Sequence, residues 1–183
     1  MSRSSWADMD CSVAQTLEVI GEWWTLLILR NAFHGMHTFD DFQKQLGIST
    51  SVLSARLKKL TDAGVLSRHS SEHDGRSVEY RLTEKGLELY PVMISLKQWG
   101  DKWRPNGRGL RLDLRDRKTG RRIAGARVLS AEGTPLDPRD VEVRAGPGAD
   151  RSTRHLISLR EGDTLPHPNP SKTKRFSSED RNK

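Results

Sequence analysis

A single cysteine, Cys11, among 183 residues excludes an internal disulfide and any cysteine-cluster metal site. Apolar residues are scarce too. Only 34% of the chain is hydrophobic and the mean hydropathy is -0.70, too little to pack the whole length into one globule, so part of it is expected to be weakly folded. No apolar run approaches the roughly 20 residues that cross a bilayer. The longest, Trp23 to Leu29, is interrupted by Thr25. The N-terminus, Met1 to Asp8, lacks the apolar stretch of a secretory signal. There is no Gly-rich phosphate loop, no metal cluster and no recognisable nucleophile–base arrangement. These absences speak against an enzyme, a cofactor, a bound metal and a membrane partner, and point to a cytoplasmic protein.

What is present is an uneven charge. The net charge is +7, yet residues 1–104 carry 13 basic and 13 acidic side chains and sum to zero. Residues 105–183 carry 18 basic and 11 acidic side chains and hold the entire excess. Composition divides the chain into an N-terminal arm (1–9), a folded domain (10–104), a basic Arg- and Gly-rich extension (105–145) and a tail (146–183). The tail holds Pro147, Pro166, Pro168 and Pro170 among polar residues and is expected to be disordered.

Within 10–104 the periodicity is mainly helical. Val13, Leu17, Ile20 and Trp24 recur at helical spacing, and Trp23 to Leu29 is apolar almost all round, as in a buried central helix. Thr38 with Asp41 forms a capping-box pattern ahead of Phe39, Phe42 and Leu46, and Gly47 ends that helix. Ser49 caps the next, which runs to about Asp62 before Gly64. Two short helices joined by Gly47-Ile48-Ser49 have the form of a helix-turn-helix. After Gly64 the period changes. Val65 to Ser71 and Val78 to Leu82 read as strands around an Asp74-Gly75 turn, a hairpin in the position of a wing. Thr83 then caps a long helix in which Pro91 should introduce a kink. The fold class expected is α+β: mainly helical with a small β-wing, followed by a β-rich or disordered extension.

The second helix of the motif divides its faces. Leu53, Leu57 and Leu60 point inward, leaving Thr50, Ser51, Ser54 and Lys58 outside with Arg56 and Lys59 at the flanks. Small hydroxyls at a helix N-terminus, with Ser49 at the cap, suit entry into a major groove and contacts to base edges or phosphates. Arg56 and Lys58 can take phosphate or guanine. Arg76 at the wing tip suits a narrow minor groove, with Asp74 able to hold its guanidinium. Arg68 and His69 lie in reach of the backbone. Each feature alone is also compatible with a solvated surface. The expected partner is double-stranded DNA, and the alternative is a winged-helix module for protein interaction. Acidic residues in place of Arg56, Lys58 or Arg76 would have favoured the alternative. His34 with His37, and His69 with His73, have metal-compatible spacing but lack further ligands, and read as surface or DNA-proximal residues.

These residues resemble a known family. Cys11 to Ala14, Ile20 to Arg30, Phe39 to Phe42, Gly47-Ile48-Ser49, Val52 to Leu60, Gly64 to Leu66, Val78 to Gly86 and Trp99 to Trp103 are similar, in order and spacing, to the HxlR-type branch of the MarR-like winged-helix regulators. The resemblance spans about residues 10–104. It implies a homodimer, a palindromic operator, repression, and dimer helices at both ends of the domain, with Trp99 and Trp103 at the interface. The resemblance also marks Cys11 as a candidate redox sensor and leaves room for an unidentified small-molecule or oxidant effector. A helix start would raise the reactivity of this thiol, while Asp8 and Asp10 act against it. In some relatives the extension looks like a small zinc ribbon. Here Thr119 and Glu132 stand in its turns, so a metal-free β-element is expected, with the Arg108 to Arg127 stretch either attracting phosphate or simply solvated.

Overall fold

The computed structural model describes residues 9–70 and 78–159 and divides the chain into two compact units, 1–93 and 94–183. The tip of the hairpin, with Asp74 and Arg76, lies outside the described residues, as do most of the N-terminal arm and residues 160–183.

The elements of the first unit are α1 (Ser12–Ile20), α2 (Trp23–Phe33), α3 (Phe39–Leu46), α4 (Thr50–Asp62), β1 (Leu66–Ser70), β2 (Val78–Leu82), α5 (Glu84–Leu87) and the start of α6 (Tyr90–Trp103). The core joins Ile20, Ile28 and Leu29 to Phe42, Ile48, Leu53, Leu57, Leu60, Val65 and Leu66. Burying a leucine or phenylalanine of this kind stabilises by about 1.5–3 kcal/mol, so the three fully buried leucines of α4 anchor that helix firmly.

Local chemistry fixes the ends. Thr38 Oγ1 accepts the N–H of Asp41 at 3.1 Å and donates to its carboxylate at 2.7 Å, closing the first turn of α3. Gly47 ends α3 at φ +63°, where a side chain would be strained. Ser49 then accepts the N–H of Val52 at 3.4 Å and starts α4. The strands pair antiparallel, with Leu66 opposite Leu82 and Arg68 opposite Tyr80. The loop before α3 adds to the far edge of β2, where the N–H of Tyr80 donates to His37 O at 2.7 Å and Thr38 bridges Glu79. This seam ties the hairpin to the helix-turn-helix.

Two expectations are revised. The stretch after Thr83 is two helices, not one kinked helix: the chain leaves helical form at Glu88 and Leu89, and Pro91 sits in the first turn of α6, where its missing N–H is not needed. On α1 the helically spaced Val13 and Leu17 lie outside the core. They are 66% and 49% exposed, and Ala14 and Ile20 are the buried residues of α1. The tail expected to be disordered contains α7 (Arg151–Ser158), because Asp150 caps it by accepting the N–H of Thr153 at 2.6 Å.

The second unit is built from turns. Gln98 on α6 accepts the N–H of Ala126 at 2.9 Å, and Asp101 pairs with Lys97 at 2.6 Å and Arg111 at 3.4 Å. These bonds join the end of α6 to the extension, so the boundary between units falls inside that helix rather than after residue 104. Isolated bridges at Arg115–Arg122 and Leu129–Pro135 close two small hairpins, and a short 3-10 turn follows at Pro138–Asp140.

Candidate nucleic-acid interface

The buried row of α4 sets what its other face presents. Leu53, Leu57 and Leu60 are fully buried, while Thr50, Ser51, Ser54 and Lys58 are exposed. Ser49 and Thr50 are already engaged locally. Ser49 Oγ lies 3.1 Å from Ser51 Oγ, and Gln43 Nε2 donates to Thr50 Oγ1 at 2.9 Å, bracing the first turn of α4 from α3. No acidic residue occupies that first turn, so no carboxylate offsets the positive end of the helix dipole there, and beyond the Val52 N–H taken by Ser49 its N-terminal N–H groups can meet an anion.

The cations of α4 are less free than its hydroxyls. Arg56 turns off the exposed face: its Nη2 meets Glu22 at 3.2 Å, its side chain is 26% exposed, and its Nε is buried without a partner. Lys59 approaches Glu18 at 3.8 Å, and Lys58 pairs with Asp62 at 2.6 Å. The placement therefore differs from the one expected for Arg56, which braces α4 against the start of α2. The sequence contains the matching charges, two acids four residues apart and two bases three apart, but not the information that these helices adjoin. Arg68, exposed on β1, has no carboxylate partner among the described residues. In β2, Glu79 is buried and held by Arg81 at 2.7 Å.

The remaining sequence-predicted residues lie elsewhere. Cys11 is the exposed N-cap residue of α1 and makes no side-chain capping bond. Trp99 is 62% and Trp103 43% exposed on α6, with Lys102 Nζ 4.9 Å from the Trp103 ring centre. Among the described residues, no group of three His, Cys, Asp or Glu side chains could hold a metal ion, and no helix is long and apolar enough to cross a membrane.

A tight two-helix turn, an outward polar helix face and an antiparallel hairpin directly after it define a winged helix-turn-helix protein. The HxlR-like helix-turn-helix profile matches residues 19–108, and the chain belongs to that family of transcriptional regulators. An uncharacterized HTH-type transcriptional regulator of Mycobacterium tuberculosis is 38% identical over 137 residues, 75% of this chain and 87% of the relative. That match necessarily reaches past residue 108 into the extension. Another such regulator, YdeP of Bacillus subtilis, is 35% identical over 95 residues, 51% of this chain and 74% of the relative. Among solved structures, PA1607, described as a candidate transcription factor, superposes with a TM-score of 0.70 at 36% identity, covering 76% of this chain and 97% of that one.

Proposed function

We propose that the chain is a homodimeric repressor that reads a palindromic operator, with the N-terminal turns of α4 in successive major grooves and the hairpin tips on the flanking minor grooves. The observation that carries this reading is the exposed hydroxyl face at the start of α4, set opposite three buried leucines and free of acidic side chains. Ser51 and Ser54 are assigned to base edges, the N-terminal N–H groups of α4 and Arg68 to phosphate. Arg56 is assigned a bracing role through Glu22.

Dimerisation through α6 is supported by an exposed apolar row, Val92, Leu96, Trp99 and Trp103, at spacings that keep one helix face. On α1, Val13 and Leu17 add further exposed apolar surface. An effector belongs to the same reading. An open cleft of 410 Å³ lined by Ala32, Met36, His37, Tyr80 and Leu82 offers apolar walls to a small molecule. The exposed thiol of Cys11 offers a target for an oxidant, with a disulfide possible only to another chain or a small thiol.

Selection of bound sites from random duplexes with the full chain tests this function. The expected result is a palindromic motif whose half-sites change at one position in Ser54→Ala. A uniform loss of affinity in that variant would reduce Ser54 to a phosphate contact. The absence of any motif would favour a protein-interaction module instead.

A further inference from the structure

The division of charge between the two units leaves a question about affinity. The winged domain has no net charge to offer phosphate, and three of its α4 cations already meet carboxylates. The positive excess lies in the extension, where its distribution is not uniform.

The hairpin from Leu114 to Ile123 separates its charged residues into two sets. One set builds the turn. Asp113 clamps both sides, taking Arg115 at 2.7 Å and Arg122 at 2.6 Å. Arg115 also donates to Gly120 O at 2.8 Å. Asp116 accepts from the Lys118 N–H at 2.7 Å and the Thr119 hydroxyl at 3.0 Å. Backbone bonds from Asp116 to Arg121 and from Ile123 to Leu114 complete it. Both acids between residues 108 and 127 are thus consumed by the scaffold. The other set, Arg117, Lys118 and Arg121, is exposed at the tip and has no carboxylate partner among the described residues.

The cations of the tip are not required by the turn itself. The neighbouring turn in the same unit closes in a similar way, with Ser130 Oγ accepting the N–H groups of Glu132 and Thr134, and it contains no basic residue from Ser130 to Leu136. A held frame that exposes three unpaired cations suits a polyanion whose charges repeat and whose sequence is not read.

We propose that the tip of this hairpin is a second DNA contact, binding the phosphate backbone of the duplex and adding sequence-independent affinity to the few phosphate contacts of the winged domain, which has no net charge. The inference rests on the reading that the chain binds duplex DNA. It divides the work: α4 discriminates, and Arg117, Lys118 and Arg121 attract.

The test compares the full chain with Arg117→Ala/Lys118→Ala/Arg121→Ala by fluorescence anisotropy, on a selected duplex and on a scrambled one, across a salt series. Each phosphate contact contributes about 0.9 to the slope of log affinity against log salt, so three contacts predict that raising salt from about 50 to about 200 mM weakens the wild type about 40-fold more than the variant, per engaged chain. Preference for the selected duplex should stay within about twofold, because phosphate contacts carry no sequence information. The charge-retaining Arg117→Lys/Arg121→Lys should keep the wild-type slope. An unchanged slope in the triple alanine variant overturns the proposal and turns the tip toward another partner, such as an acidic protein surface. A slope lost equally in the lysine variant also overturns it, as damage to the hairpin. If the wild type binds both duplexes without preference, operator reading fails, yet the slope difference still decides the role of the hairpin. If the wild type binds neither, both fail.

Discussion

In the winged domain, Phe42, Ile28, Leu53, Leu57 and Leu60 lose all contact with solvent, whereas from Ser95 to Leu159 no residue is buried. Leucines of the extension are at best half-buried, and several stay open, with Leu110 at 55% and Leu129 at 52% exposure. The first unit is ordered by removing apolar surface from water, a non-directional force that can hold distant elements together. The second is ordered by charged and backbone hydrogen bonds between residues a few positions apart, such as Arg139 with Asp137 at 2.7 Å and Arg144 with Glu142 at 2.8 Å. Exposed pairs of this kind contribute little each and weaken with salt. The contrast separates two ways of fixing a surface: α4 sits on a buried apolar core, and the basic hairpin is held by short-range ion pairs and backbone bonds.

Removing core volume should separate the two units most clearly. Phe42→Ala is expected to destabilise the winged domain by about 3–5 kcal/mol, and Leu110→Ala to change stability by no more than about 0.5 kcal/mol. Urea titration followed by tryptophan fluorescence checks both. A loss of comparable size for Leu110→Ala would mean that the extension has an apolar core after all, and the comparison would break.

Gly86→Ala should have the next largest effect. A Cβ there would collide with the backbone carbonyl oxygen of Val65 and come within 3.0 Å of Leu82 Cδ2, where α5 closes on the base of the hairpin. Backbone cannot yield as a flexible side chain can, so a cost of about 1–3 kcal/mol is expected. A lower urea midpoint with an unchanged slope would agree. A wild-type midpoint would show that α5 can move away from β1 freely.

How much of this was legible in the sequence follows from the range of each interaction. The caps at Thr38, Ser49 and Thr83 and the stop at Gly47 depend on residues within one turn, and the structure places them as read. The two strands were legible as short runs, but their register was not: only Val78 to Leu82 alternates, and in β2 the buried residue is Glu79. The bracing of Arg56 by Glu22 was hidden, because it depends on α4 crossing the start of α2. Val13 and Leu17, exposed on α1, are a related case: helical spacing identifies an apolar face but not what covers it. Composition marked the tail as poorly folded, yet α7 forms there with Asp150 at its cap.

The smallest expected effect sharpens the comparison from the side of the extension. Asp113 has its carboxyl held below the ordinary value of 3.8, first by the bond from Arg122 and then by that from Arg115. A carboxyl depressed in the folded state stabilises it fully only above the unfolded value, and that contribution fades as pH falls from 3.8 through the depressed value. The hairpin should therefore be intact at neutral pH and loosen only in strong acid. Asp113→Asn should imitate the acid state at neutral pH by removing the charge from the clamp. Amide exchange of Ile123, whose N–H donates to Leu114 O at 3.1 Å, is the readout. Faster exchange at Ile123 with unchanged protection at Leu57 is expected. Protection lost at both positions together would show that the clamp also supports the winged domain, and the two units would have to be treated as one cooperative structure.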